Sequence, residues 1–276
     1  MSESILVERI DGVCRVTINR PERRNALDPA SRDRLLEVLA DARADASVRA
    51  LLLSGAGGSF CTGADMSPGA TAPPPPAADK DGGEVPRGPD LRAAAEMMRG
   101  GAQRLVRNLF EVDKPTVAAV TGPAAGLGAH LALACDLVVM AEDARLIEVF
   151  MRRGLVVDAM GAWLLPRLVG LGRAKQLAFF AEDVRGPQAL EWGLAQRVVP
   201  ADQVDSEAMA WATRLAQGPT RALGLTKQLI NRAVESSIDQ SLHDEAWAVA
   251  MNTQSADMKE GMIAFLQKRP PEFAGR

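Results

Sequence analysis

The N-terminal part of the chain contains short apolar runs that predict β-strands. Two such runs, at residues 5–10 and 13–18, are joined by Asp11-Gly12, a dipeptide typical of a two-residue hairpin turn. Two further runs, at residues 50–55 and 115–120, are apolar almost throughout. This pattern is typical of strands that are buried on both faces.

Segments of helical pattern lie between and after these strands. One helix is predicted over residues 29–44, since Asp28 can act as its N-cap and a proline stands at its first position. Another is predicted over residues 91–111. A further buried strand at residues 136–141 follows, and from residue 202 onward the pattern is almost entirely helical.

The change from a mixed to a helical pattern predicts an α/β core, residues 1–200, and a C-terminal helical region, residues 201–276. Residues 66–90 interrupt the core with seven prolines and four glycines. A segment of this composition cannot pack a core, so we expect a mobile surface loop. Its position in the chain suits a lid, and disorder without a function is the alternative.

Composition excludes several classes of function. The formal net charge of −3 argues against binding to nucleic acid, and the three widely spaced cysteines fit a reducing cytoplasm because they form no disulfide or zinc pattern. We expect no secretory leader and no membrane span. The chain has no tyrosine, and His130 and His243 are its only histidines, so a multi-histidine metal site is not expected.

Two loops rich in glycine each follow a buried strand. One covers residues 57–66, and the other covers residues 122–128 and continues into a helix of small residues. Such a loop can leave backbone N–H groups unpaired, and a helix start adds the positive end of a dipole. If the loops face each other, they could supply one N–H each to a developing negative oxygen. For either loop the alternative is a tight packing turn.

Five motifs extend over almost the whole chain. They are Asn19-Arg20-Pro21 with Asn25-Ala26-Leu27, Gly58 to Asp65, Gly122 to Asp136, Gly154 to Asp158, and Glu191-Trp192-Gly193-Leu194. Together they resemble the crotonase, or enoyl-CoA hydratase/isomerase, superfamily. The resemblance implies an α/β spiral of ββα units with a C-terminal helical region that forms a homotrimer or a dimer of trimers. It also implies an acyl-CoA thioester as substrate, with no cofactor, since coenzyme A belongs to the substrate.

The resemblance assigns roles to individual residues. The enolate oxygen of the thioester would be held by the backbone N–H groups of Ala64 and Leu127. Phe265 and Lys268, on the last helix, would contact coenzyme A from a neighbouring subunit, or would only pack that helix. The remaining residues expected to line the substrate and CoA site are Arg23, Arg24, Ala26, Thr62, Gly63, Asp65, Met66 and Gly126.

The acid/base residues depart from the hydratase pattern. Hydratases of this family place two glutamates across the substrate double bond, and here His130 and Phe150 stand at those positions. Glu148 lies two residues from the second position and is expected to lie outside it. Asp158 is the better candidate, because its turn resembles that of the branch containing ring-1,2-epoxyphenylacetyl-CoA isomerase and the enoyl-CoA isomerases.

Each candidate also has a purely structural interpretation. Asp158 could be the N-cap of a helix over residues 159–168. His130 could be a second base, could orient the acyl group, or could be a packed structural residue. Phe150 in the pocket would exclude water and raise the pKa of a neighbouring carboxylate.

Three hypotheses on function remain open at this stage. The first is an enzyme that shifts the double bond of an enoyl-CoA by a proton shuttle on Asp158. The second is hydration of a 2-enoyl-CoA by His130 and Asp158. The third is a non-catalytic member of the family that only binds acyl-CoA.

Overall fold

The computed structural model describes residues 3–67 and 90–276. The strands within these residues are β1 (Ile5–Ile10), β2 (Val13–Ile18), β3 (Ala50–Gly55), β4 (Thr116–Val120), β5 (Pro123–Ala125), β6 (Leu137–Ala141), β7 (Arg145–Ile147), β8 (Asp183–Arg185) and β9 (Arg197–Val199). The α-helices are α1 (Pro29–Ala44), α2 (Leu91–Met98), α3 (Arg104–Glu111), α4 (Leu127–Ala134), α5 (Gly161–Phe180), α6 (Gly186–Glu191), α7 (Val204–Ala216), α8 (Thr220–Ala233), α9 (Ile238–Asn252) and α10 (Ala256–Gln267).

The larger sheet has the strand order β1-β2-β3-β4-β6-β9. β1 and β2 form the predicted hairpin, with Asp11 and Gly12 both at positive φ, and the other neighbours pair in parallel. β3 and β4 are buried almost throughout, which explains why their sequences are apolar rather than alternating. α7 packs on β3, β4 and β6, so the first α-helix beyond residue 200 completes the core of this sheet.

A smaller sheet, with the order β5-β7-β8, was not predicted in full. Its strands have three residues each, too few for an alternating pattern to be visible in the sequence. β5 lies inside the second glycine-rich loop and pairs in parallel with β7. The smaller sheet therefore fixes the backbone directly before α4.

Most predicted helices are confirmed, with two informative differences. The segment predicted over residues 91–111 is helical throughout but contains a π-helical turn at Arg99–Gln103, between α2 and α3. The helix that follows Asp158 begins at Gly161, with Met160 at the N-cap, and not at residue 159. α5 then continues across Gly170, whose φ of 76° marks a kink, to Phe180.

The proline-rich segment at residues 66–90 lies outside the described residues except for its ends. The expectation of a mobile loop or lid there stays a prediction. Among the helices of residues 3–67 and 90–276, none has the length and apolar character needed to cross a bilayer.

Candidate active site

The two glycine-rich loops face each other, as predicted. Cys61 in the first loop pairs with Ala124 in the second: the Cys61 N–H donates to the carbonyl of Pro123 at 3.2 Å, and the Ala125 N–H donates to the carbonyl of Cys61 at 2.9 Å. A Cβ atom on Gly128 would lie 2.0 Å from the carbonyl oxygen of Cys61. The start of α4 can therefore approach the first loop only because residue 128 is a glycine.

Gly126 sets the direction of the backbone at the start of α4. Its φ of 53° and ψ of −122° lie in a region that is open to glycine and strained for other residues. Its N–H donates to the carbonyl of Ile147 at 2.9 Å, which ties the turn to the smaller sheet. The next residue, Leu127, is the first of α4, and its N–H has no protein acceptor within the described residues.

The hydrogen bonds of the residues around Ala64 do not involve the Ala64 N–H. The Leu27 N–H donates to the carbonyl of Gly63 at 2.8 Å, and the Asp65 N–H donates to the carbonyl of Leu27 at 3.0 Å. These bonds turn the peptide groups on either side of Ala64 toward Leu27, so its own N–H faces away. A Cβ atom on Gly63 would lie 3.7 Å from the backbone nitrogen of Leu127. The Ala64 and Leu127 N–H groups therefore stand close together on facing loops.

The buried side chain of Asp65 stabilises the first glycine-rich loop through hydrogen bonds and an ion pair. Asp65 is 5% exposed, accepts from the N–H and hydroxyl of Ser67 at 3.0 and 2.6 Å, and pairs with Arg20 at 3.0 Å. The hydrogen bonds from Ser67, followed by the bond and charge of Arg20, hold the pKa of this carboxyl below its usual range. Met66 beside it is exposed. Any contact of Asp65 with coenzyme A would thus involve its backbone.

The arginine-rich loop after β2 is hydrogen-bonded to the first glycine-rich loop. The N–H and hydroxyl of Thr62 both donate to the carbonyl of Arg24, at 3.2 and 3.1 Å. The buried amide of Asn25 accepts from the Arg20 N–H at 2.9 Å and donates to the carbonyl of Ser59 at 2.7 Å. This bonding leaves Arg23 and Arg24 with exposed cationic side chains next to Ala26, beside the first glycine-rich loop.

A buried imidazole–carboxylate pair lies one turn into α4. The Nε2 of His130 is 3.1 Å from the Oε2 of Glu148, and the two residues are 0% and 4% exposed. Phe150 stacks on the imidazole with ring centroids 5.6 Å apart and an interplanar angle of 13°. A Cβ atom on Gly161 would lie 2.2 Å from the Nε2, so this glycine makes room for the ring. The Nδ1 atom is buried with no partner in the described residues.

Asp158 is not the N-cap of α5. Met160 holds that position, without a side-chain capping bond, and only the backbone carbonyl of Asp158 contributes, by accepting from the Gly161 N–H at 2.8 Å. The structural interpretation offered for this aspartate is therefore wrong. The helix starts later because Ala159 and Met160 both adopt positive φ.

Burial raises the pKa of the Asp158 carboxyl above its ordinary value of 3.8. Three charged groups act on it in addition: His130 and Arg32 lower the pKa, and Glu148 raises it. The aspartate, the buried pair and the α1 arginine therefore form one electrostatic cluster. A carboxylate with a raised pKa is better suited to taking and returning a proton near neutral pH.

The sequence did not predict that two members of this cluster lie at the site. Glu148 was expected outside the site because it does not align with a hydratase glutamate, yet its carboxylate reaches the site through His130. Arg32 gave no signal, since it lies on the polar side of an ordinary amphipathic helix. Its charge acts on Asp158, which follows about 125 residues later in the chain, so the two come together only in the folded protein.

The other residues expected at the site are at the end of α10. Phe265 is 79% exposed, and Lys268 follows the helix as its C-cap with a φ of 55°. α10 also exposes Leu266 and Met262. These side chains are available to another molecule, and their contact with coenzyme A stays a prediction.

Comparison with known proteins identifies the family. The model of the enoyl-CoA hydratase/isomerase family matches residues 8–276. The chain is 39% identical to the 1,2-epoxyphenylacetyl-CoA isomerase of Escherichia coli (strain K12) over 276 residues, 100% of both chains. It is 32% identical to the short-chain-enoyl-CoA hydratase of Clostridium acetobutylicum over 270 residues, 98% of this chain and 97% of the relative.

The comparison with solved structures agrees with the family match. A crystal structure of an enoyl-CoA hydratase from Polaromonas sp. JS666 superimposes with a TM-score of 0.85 at 29% identity, and covers 98% of this chain and 99% of that one. These relatives are named for reactions on acyl-CoA, which favours an enzyme over a protein that only binds the thioester. The chain belongs to the enoyl-CoA hydratase/isomerase family and is an acyl-CoA enzyme with the crotonase fold.

Proposed function

We propose that this enzyme shifts the double bond of an enoyl-CoA, with Asp158 as the single proton shuttle. The observation that supports this most directly is the state of Asp158: a partly buried carboxylate, free of any capping task, with a raised pKa. A double-bond shift needs one group that removes a proton and returns it elsewhere. One such carboxylate is sufficient.

The steps follow from the groups in place. The thioester oxygen accepts hydrogen bonds from the N–H groups of Ala64 and Leu127. Asp158 removes a proton from the carbon next to the thioester of a 3-enoyl-CoA, and the electron pair delocalises onto the thioester oxygen as an enolate. Asp158 then returns the proton at the far end of the conjugated system, which leaves a 2-enoyl-CoA. The N–H groups stabilise the enolate more strongly than the neutral ester, because they are oriented before the charge develops.

Phe150 and His130 shape the environment of this transfer. The two rings stack on each other and are buried, which supports the proposal that they exclude water from one side of the pocket. Exclusion of water would favour return of the proton over its loss to solvent. With water excluded, the enolate is also held by stronger electrostatic interactions. A pocket from which water is excluded suits isomerisation, because no water enters the product.

The coenzyme A end of the substrate is proposed to lie on the arginine-rich loop. Arg23 and Arg24 are exposed there and can pair with phosphates through forked donors. Phe265 and Lys268 of a neighbouring subunit are proposed to close over the same group. The reaction so described requires no cofactor, since coenzyme A enters and leaves as part of the substrate.

We also propose that the enzyme works in a reducing compartment, the cytoplasm. Cys14, Cys61 and Cys135 are free thiols, and burial raises the pKa of Cys61 and of Cys135 to about 12. Microscopy of a fluorescent fusion in the source organism tests this, and export of the fusion would contradict it.

The proposed chemistry is tested with Asp158→Asn and a 3-enoyl-CoA in deuterated water. Wild-type enzyme is expected to form the conjugated 2-enoyl-CoA, followed by its absorbance, and to exchange protons next to the thioester. Asp158→Asn is expected to lose turnover by at least about a hundredfold, the scale of a general acid–base contribution, while binding of the CoA ester changes little. Unchanged turnover in the variant would rule out the proton shuttle.

A second candidate is hydration of a 2-enoyl-CoA. The observation in its favour is the His130–Glu148 pair beside Asp158, which provides a second group able to hold or move a proton. Hydration gives a 3-hydroxyacyl-CoA and removes the absorbance of the conjugated double bond. Formation of that product from a 2-enoyl-CoA, faster than isomerisation of the 3-enoyl-CoA, would favour this function over the first.

A further inference from the structure

We propose that Met160 is a positioning residue, whose left-handed backbone conformation keeps the Asp158 carboxylate out of the start of α5 and free for proton transfer. The proposal rests on the proposed function, because it takes Asp158 as the proton shuttle. It adds to that function a residue that acts through the backbone and not by contact with the substrate.

The turn that joins Asp158 to α5 has a conformation that its residues disfavour. The Gly161 N–H donates to the carbonyl of Asp158 at 2.8 Å, and the two residues between them, Ala159 and Met160, have φ values of 44° and 66°. A four-residue turn with positive φ at both central positions is of type I′, in which glycine, asparagine and aspartate predominate. Alanine and methionine are strained there, because the Cβ atom of each lies close to the carbonyl oxygen that follows it.

The surroundings of the turn hold it in this conformation. Ala159 is fully buried, and Met160 packs on the hydrophobic core. A Cβ atom on Gly161 would lie 2.2 Å from both the Cε1 and the Nε2 of His130, so the start of α5 lies directly against the buried imidazole. Backbone strain persists only where the surrounding structure imposes it, and it is found most often at active sites.

The relaxed alternative would take Asp158 out of the reaction. With residues 159 and 160 in the helical region, α5 would begin at residue 159 with Asp158 as its N-cap, the arrangement that the sequence pattern suggested. The carboxylate would then accept hydrogen bonds from N–H groups of the first helical turn and become less basic. The observed turn has neither a side-chain capping bond nor a relaxed backbone. The strain at Met160 is therefore linked to a carboxylate that stays free.

Three substitutions of Met160 separate backbone preference from packing. Isoleucine and leucine both resemble methionine in size and apolar character, but isoleucine is branched at Cβ and is a poor fit to positive φ. Asparagine is small and polar, yet it tolerates this conformation. Met160→Ile is expected to lower kcat by about fivefold to thirtyfold relative to Met160→Leu, the scale of left-handed strain at one residue. Met160→Asn is expected to keep a higher kcat than Met160→Ile, the reverse of what packing alone would give.

Two further measurements follow the Asp158 carboxylate itself. The charged groups that act on it, His130, Glu148 and Arg32, are the same in all the Met160 variants. The acidic limb of the kcat–pH profile should therefore lie at lower pH in Met160→Ile than in Met160→Leu, because a capping carboxylate is stabilised in its ionised form. A crystal structure of Met160→Ile, which does not depend on turnover, is expected to show α5 beginning at residue 159. Binding of the CoA ester should change little.

Asp11→Ile is the matched control. Asp11 has a φ of 47° in the exposed hairpin turn between β1 and β2, outside the candidate site. Its substitution introduces the same backbone strain, so it should lower the melting temperature but leave kcat in place. A loss of kcat in Asp11→Ile equal to that in Met160→Ile would mean that strain acts only through the stability of the fold, and would overturn the proposal.

The remaining outcomes are also decisive. A kcat in Met160→Ile above that in Met160→Asn, or a crystal structure of Met160→Ile in which α5 still begins at Gly161, would overturn the proposal. If Met160→Ile does not fold, a lower kcat in Met160→Asn than in Met160→Leu would overturn it instead. An earlier helix start in Met160→Ile together with unchanged turnover in Asp158→Asn would count against the proposed reaction and not against the role of the turn.

Discussion

At the scale of single residues, the environment of Asp158 decides what its carboxylate can do. A fully exposed aspartate is ionised at neutral pH and is only a weak base. The partial burial of Asp158 raises the pKa of its carboxyl. Arg32 and His130 limit the rise, and Glu148 adds to it. The net result of burial and these charges is a raised pKa, the property that the proposed proton shuttle requires.

The raised pKa predicts that Asp158 lowers the stability of the fold at neutral pH. The folded-state pKa lies above the unfolded value, so ionisation costs more in the native state, and stability is lost as pH rises from the unfolded pKa through the folded pKa. Asp158→Asn should therefore melt at a higher temperature than wild type at pH 7. Thermal melts that show no convergence of the two proteins toward pH 3.8 would contradict this prediction.

The negative charge of Glu148 should set the pH dependence of the reaction. Glu148→Gln can keep a hydrogen bond to His130 while it removes the charge that raises the Asp158 pKa. The acidic limb of the kcat–pH profile should move to lower pH. Glu142→Gln, an exposed substitution in the turn before β7, is the control and should leave the limb in place. An acidic limb that stays in place or moves to higher pH in Glu148→Gln would contradict this prediction.

At the scale of elements, two loops and one helix start form the proposed oxyanion hole. The parallel bridge between Cys61 and Ala124 sets their separation, and the small sheet holds the second loop through the Gly126 N–H. None of this depends on the side chains of Ala64 and Leu127, since the donors are backbone groups. The site is therefore sensitive to backbone geometry.

Gly126→Ala should reduce kcat with little effect on binding of the CoA ester. The φ and ψ of this position strain any residue with a Cβ, so the Leu127 N–H is expected to turn away from the thioester oxygen. Loss of one such donor costs about a hundredfold to a thousandfold in kcat. Gly193→Ala, at a positive φ of 75° with nothing within 4 Å, serves as the matched control for strain alone. Equal kinetic effects in both variants would mean that Gly126 has no special part in donor placement.

At the scale of the whole molecule, the C-terminal helices carry more exposed apolar surface than a single subunit needs. Large apolar side chains that are more than half exposed occur on α8, α9 and α10; they are Ile230, Ile238, Leu242, Trp247, Val249, Met262, Phe265 and Leu266. Large apolar side chains exposed in such number indicate a contact with another protein. The family resemblance suggests that the contact is with other copies of the same chain.

We predict that the enzyme is a trimer or a dimer of trimers in solution. Leu266→Glu places a charge on the exposed face of α10 and should shift the mass measured by analytical ultracentrifugation toward the monomer. Leu91→Glu, equally exposed on α2 but outside the C-terminal helices, should leave the mass unchanged. A wild-type protein that sediments as a monomer would contradict the prediction.

The sequence by itself determined the order of the main elements and the position of the two glycine-rich loops. Buried parallel strands are apolar throughout, helix starts carry caps, and the glycine-rich loops are recognisable because only glycine tolerates the required φ or the close approach. These are local properties, so residues 50–55, 115–120 and 122–128 could be interpreted correctly without a structure.

Only the tertiary structure decided which side chains surround Asp158. Glu148 reaches the site because it follows β7 directly and pairs with His130 of α4, and Arg32 acts on Asp158 by its charge although it lies far away in the sequence. The start of α5 at Gly161, which frees Asp158 from capping, depends on the positive φ of Ala159 and Met160. Such features arise from contacts between distant segments and from burial, and no local pattern in the sequence encodes them.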